Sequence, residues 1–124
     1  MRILYTVQRY GESIVGGSEN ACRAFAENLV AAGHHVEVIT SCAADYRTWD
    51  NEIAAGTSVL NGVIVHRLPV TSPRIEEEFS PYQRRTFFGP RPMSTEFQHT
   101  WSQKMGPSLQ GYQGWLLQNY DRFD

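Results

Sequence analysis

The sequence predicts an α/β fold, a parallel sheet flanked by helices, on three observations. β-branched runs occur at Arg2 to Val7 and again at Val36 to Thr40, the segment between them carries apolar residues at spacings of three and four, and the return into the second run is very short. Strand, helix and strand in that order form a crossover unit, which is right-handed in nearly all cases and leaves its two strands parallel.

Arg2 to Val7 begins at once, with the β-branched and aromatic texture of a strand covered on both faces, the best candidate for the centre of the sheet. Gln8 to Gly17 has three glycines and no period, so it reads as a loop. Ala21, Cys22, Phe25, Ala26, Leu29 and Val30 form the apolar stripe of the following helix. Ser18 is its expected N-cap, Glu19 suits the positive end of its dipole, and Gly33 stands where a left-handed residue closes it. After the second strand, Ser41 to Gly56 reads as a polar loop with at most one helical turn.

Asn61-Gly62 between Val59-Leu60 and Val63 to Leu68 is a strong β-hairpin signal, because both central positions of a type I′ turn need positive φ. Thr71 to Pro92, with four prolines and blocks of charge, reads as a long irregular excursion. A helix capped by Ser94 is expected to pack Phe97 and Trp101 and to break at Gly106-Pro107. Ser108 is the expected cap of a last helix on which Leu109, Tyr112, Leu116 and Tyr120 share a face.

A chain of 124 residues, 41% hydrophobic and of net charge -2, suits one domain with a genuine core and offers no broad basic footprint for nucleic acid. No apolar run has the length of a transmembrane span and no signal segment precedes the first strand, so the expected location is cytoplasmic. Cys22 and Cys42 are expected as buried free thiols. The histidines His34, His35, His66 and His99 show no ligand spacing, so no metal site is expected, and His66 should point outward from its strand. Absence of Gly-x-Gly-x-x-Gly after the first strand argues against a nicotinamide dinucleotide domain. Arg84-Arg85 beside Phe87-Phe88 has the chemistry of an acceptor loop or of a peripheral membrane anchor, but Glu76 to Glu78 offset the charge, which favours a solvated or self-packed loop.

Three motifs in fixed order, the loop ending Gly16-Gly17-Ser18-Glu19, then His34 to Thr40 after the helix, then Asn61-Gly62-Val63 to Pro69, resemble the opening of family-four retaining glycosyltransferases over about the first 70 residues. The resemblance implies a Rossmann-like, acceptor-side N-terminal domain of a GT-B enzyme, here incomplete, spanning residues 1–124. In such enzymes a second domain binds the nucleotide sugar, and transfer to an acceptor hydroxyl occurs in the cleft between the two. The donor half is absent from these residues, so the chain alone is expected to be inactive, with no catalytic residue assigned and no cofactor beyond the nucleotide sugar as donor substrate. Gly16, Gly17, Ser18 and Glu19 are the expected contacts to substrate or donor phosphate: residues without Cβ let the backbone approach a ligand, and a helix start presents unpaired amides. Glu19 is open to two readings, acceptor for a sugar hydroxyl or ordinary dipole compensation. A different class of function, a stand-alone binding or interaction module without catalysis, fits the same scaffold. In a doubly wound sheet the strand on the other side of the first would come after Asp124, so within these residues the first strand, though suited to a covered centre, is expected at an edge and to drive self-association.

Overall fold

The computed structural model describes all of residues 1–124. Strand β1 (Arg2–Thr6) is followed by helix α1 (Gly17–Ala31), β2 (His35–Ser41), β3 (Gly56–Leu60) and β4 (Val63–Leu68). Helices α2 (Glu76–Phe88), α3 (Thr95–Met105) and α4 (Tyr112–Asn119) come next, with a 3-10 turn over Tyr120–Arg122. The strands form an open sheet in the order β1-β2-β4-β3, in which β1, β2 and β4 run parallel and β3 is antiparallel to β4. The sheet is therefore mixed, and the arrangement fits a Rossmann-like α/β unit. No helix is long and apolar enough to cross a membrane.

Alternation along the strands sorts the two faces. Val36, Val38, Val63 and Val65 meet Cys22 and Ala26 of α1, with Tyr10 from the loop between β1 and α1, to make the main core. Both cysteines are buried and unpaired, as expected. The opposite face carries Glu37 on β2 and His66 on β4, covered by the C-terminal segment: the Trp115 ring lies 4.8 Å from that of His66.

The hairpin forms at Asn61 (φ 50°) and Gly62 (φ 82°), and α1 closes at Gly33 (φ 87°), as the sequence predicts. Gly62 has a second reason to lack a side chain, since a Cβ there would stand 2.7 Å from Val30 Cγ1. Ser94 caps α3 by accepting a hydrogen bond from the Phe97 amide at 3.2 Å.

Four expectations are corrected. Helix α1 starts two residues early, with Gly16 in the cap position and Ser18 inside the first turn, its hydroxyl turned to Glu19. Ser108 does not cap the last helix: its carbonyl accepts from the Thr71 amide, and α4 begins only after left-handed Gly111 (φ 76°). The excursion from Thr71 is not irregular, for α2 fills most of it. The acidic triplet Glu76 to Glu78 lies in the first turn and Arg85 in the last, both favoured by the helix dipole, and Phe79, Tyr82 and Thr86 turn inward. These gains offset the interior Pro81, which suggested a break. His66, finally, does not face solvent, because α4 lies over it.

The α2–α3 pair leaves and rejoins the sheet layer through a narrow neck. Val70 bridges Leu109, the Thr71 amide donates to the Ser108 carbonyl at 2.8 Å, and the Gln110 amide donates to the Pro69 carbonyl at 2.8 Å. Beside the neck, Ala43, Trp49 and Val70 form a second small core, and Trp49 Nε1 donates to the Met105 carbonyl at 2.7 Å.

Candidate functional site

The carboxyl ends of β1 and β2 open beside the start of α1, the usual place for ligands in open α/β sheets. All four residues singled out in the sequence lie here, with distinct roles. Arg9, which follows β1, is buried and forms a forked contact to Glu19 Oε1, donating from Nε at 2.9 Å and from Nη2 at 2.7 Å. It also donates to the carbonyls of Ala44 at 2.9 Å and Val15 at 3.2 Å. One guanidinium thus joins the loop after β1, the helix start and the loop after β2.

Ser18 Oγ donates to Glu19 Oε2 at 2.8 Å. Burial pushes the Glu19 carboxyl up, and the bonds from Ser18, from its own amide and from Arg9 together outweigh it, so the group stays ionised below the usual glutamate range. Both carboxylate oxygens are engaged within the chain, so Glu19 enters the site as the group that fixes Arg9 and the loop. Gly16 is glycine because of that pair: a Cβ would overlap the Glu19 carboxylate and lie 3.1 Å from Arg9 Nη2. Around Gly17 nothing lies within 4 Å of where a Cβ would sit. The first bond of α1 runs from the Asn20 amide to the Gly16 carbonyl, and the preceding amides of Gly17 and Ser18 have no acceptor in the chain.

Beside this start lies an open groove of about 710 Å³. Its wall on one side is α1 at Ser18 and Cys22, its floor is the end of β1 and the residues after it, Tyr5 to Gln8, and its far wall is Pro107 to Leu109 with Tyr112 and Gln113. No charged side chain lines it. The polar groups are hydroxyls and amides, from Thr6, Gln8, Ser18, Ser108, Tyr112 and Gln113, set among Val7, Ile39 and Leu109.

No family model, curated protein or solved structure matches this chain. The chemistry of the site is therefore carried by its own residues. No group of three or more His, Cys, Asp or Glu side chains is placed to hold a metal ion.

Two charged clusters escaped the sequence reading. Arg9 stood in a glycine-rich loop with its partner ten residues on, a separation that no local period reveals. The second centre is Glu37, fully buried in the middle of the sheet. It accepts from His66 Nε2 at 2.6 Å, His35 Nε2 at 2.8 Å and Arg122 Nη2 at 2.6 Å, with Arg2 4.0 Å away. Burial raises its carboxyl, but the bonds from His35 and His66 and the charge of Arg122 hold it below the ordinary range. A single acid inside a β-branched run was the available signal, since a charge in a covered strand needs a partner. Its role is architectural, fastening the C-terminal segment that supplies the groove's far wall.

Proposed function

We propose that this chain is the acceptor-side, Rossmann-like unit of a nucleotide-sugar-dependent glycosyltransferase of the GT-B type. Transfer to an acceptor hydroxyl then requires a second, donor-binding domain facing the groove. The observation that carries the reading is the groove itself: neutral hydrogen-bonding groups over apolar patches, with two unpaired amides at its mouth. A saccharide presents hydroxyls that donate and accept alongside apolar ring faces, and a lining of hydroxyl and amide groups meets both without desolvating a charge. At the mouth, the Gly17 and Ser18 amides would face the donor diphosphate and oppose the negative charge that grows as it departs.

A second reading, a binding module without chemistry, is favoured by one observation. No carboxylate, histidine, lysine or arginine lines the groove, so its titratable groups are only the Tyr5 and Tyr112 hydroxyls and the Cys22 thiol, which burial pushes up. Amide spectra recorded with oligosaccharides and with nucleotide diphosphates test both readings. The first expects saccharides to shift Gln8 and Gln113, nucleotide diphosphates to shift Gly17 and Ser18, and no sugar transfer by the chain alone. Saccharide shifts without any response of Gly17 and Ser18 to the diphosphate would favour the module. Silence at all four residues would refute both.

A further inference from the structure

The α2–α3 pair ends in a tip whose chemistry the groove does not use. Phe87 and Phe88 close α2 and are 65% and 86% exposed, in contrast to Phe79, buried at the base of the same helix. Arg84 is exposed one turn before them. Arg85 donates to the Pro90 carbonyl at 2.7 Å and Arg91 to the Thr86 carbonyl at 3.1 Å, so both guanidinium groups are held at the turn between the helices. No Asp or Glu occurs between Glu78 and Glu96.

The sequence reading set Glu76 to Glu78 against these arginines. The helix sets them apart: Arg84 and Arg85 stand six to nine residues beyond the triplet, about 9–14 Å along the axis of α2, and Arg91 lies past its end. That distance is about one Debye length or a little more at ordinary ionic strength. Two of the acids are also engaged locally, Glu76 by the Ser80 hydroxyl at 2.5 Å and Glu78 by Lys104 at 2.8 Å. The tip itself is cationic and aromatic, with no acid among its residues and no ion pair to Arg84, Arg85 or Arg91.

We infer that this tip docks on an anionic lipid surface, Phe87 and Phe88 entering the headgroup boundary while Arg84, Arg85 and Arg91 meet lipid phosphates. Charge complementarity selects that occupant, since a neutral apolar partner would leave three arginines to be desolvated and an acidic soluble one would leave two rings in water. The attachment is weak and reversible: each arginine near such a surface contributes about fivefold, and three contribute roughly a hundredfold. It is independent of what the groove binds.

Co-sedimentation of the full chain with vesicles of phosphatidylcholine, with and without phosphatidylglycerol, tests the inference. Binding should require phosphatidylglycerol and weaken as salt is raised. Arg84→Glu should lower it by more than about fivefold, as a charge is reversed. The double change Phe87→Ser and Phe88→Ser should lower it by about tenfold or more. These side chains are exposed, so circular dichroism of the variants should match the parent, and Val59→Ser, at a 69% exposed residue on β3, should bind as the parent does. No binding to either vesicle, equal binding to both, or unaltered binding by the double variant overturns the inference.

Discussion

Replacing Glu37 by Gln removes a charge from the centre of the sheet while keeping its shape, and the cost can be worked from its three partners. His66 is the confined one, its side chain 12% exposed beneath Trp115, so it cannot recover its lost bond from water. A buried bond to a charged group is worth about 1.5–3 kcal/mol. His35 and Arg122 are 42% and 39% exposed, can resolvate, and lose at most ~1 kcal/mol each. The expected total is about 3 kcal/mol, a large share of the roughly 5–15 kcal/mol of a small domain. Urea unfolding followed by circular dichroism should show the midpoint fall by about 1–2 M. Arg122→Ala should cost much less, and amide exchange in α4 should accelerate in both variants. Acid provides a second arm. The Glu37 carboxyl is held below its ordinary value of 4.5, so the unfolded chain takes up that proton first. The contribution of Glu37 is present above that value and is lost as pH falls through the lower, folded one. In Glu37→Gln this part of the acid dependence should vanish. An unchanged midpoint together with an unchanged acid limb would mean that α4 is held by apolar packing alone.

Two further outcomes follow from the glycines and the edge strand. Gly16→Ala must displace the Glu19–Arg9 pair and should cost about 1–3 kcal/mol by thermal unfolding, whereas Gly17→Ala, with open space at the first helical position, should be neutral or stabilising by up to ~1 kcal/mol; equal effects would show that the pair is not what excludes a side chain at Gly16. β1 has a strand on one side only, and Asp124 already bonds Arg2 on the other, which leaves the outward backbone groups of Leu4 and Thr6 free. Two copies paired antiparallel about Tyr5, Leu4 opposite Thr6, would satisfy those groups without disturbing Asp124, so sedimentation should show a concentration-dependent dimer; a monomer at every concentration would refute the pairing.

The elements legible in the sequence were those whose evidence is local. β1, α1, β2 and the hairpin each carry their own period, and Gly33 and Gly62 mark the end of the helix and the turn of the hairpin. Helix α2 is not legible there because four prolines and blocks of charge mask the Phe79, Tyr82, Thr86 stripe, although tertiary packing can carry the interior Pro81. The neighbourhood of the candidate site was legible, since Ser18 lines the groove and Gly16, Gly17 and Glu19 stand beside it in the chain. The division of labour among them was not. That Gly16 is pressed by a carboxylate while Gly17 is open depends on Arg9, and no pattern links Arg9 to Glu19. His66 was placed outward by strand alternation, which assumes an uncovered face; the cover comes from Trp115, 49 residues further on.

The closed neck at Val70 and Leu109 makes the two-helix arm a detachable appendage. Its backbone bonds join Pro69 and Thr71 on one side to Ser108 and Gln110 on the other, so a tight turn joining Thr71 to Ser108 would leave every strand and its register in place. The loss would fall on the Trp49 contacts to Met105 and Arg74, at the root of the arm, and on Pro107 at the edge of the groove's far wall. The arm's length and tip chemistry can therefore vary while the sheet and groove keep their shape, and grafting it onto another α/β chain with a similar neck would transplant its surface preference.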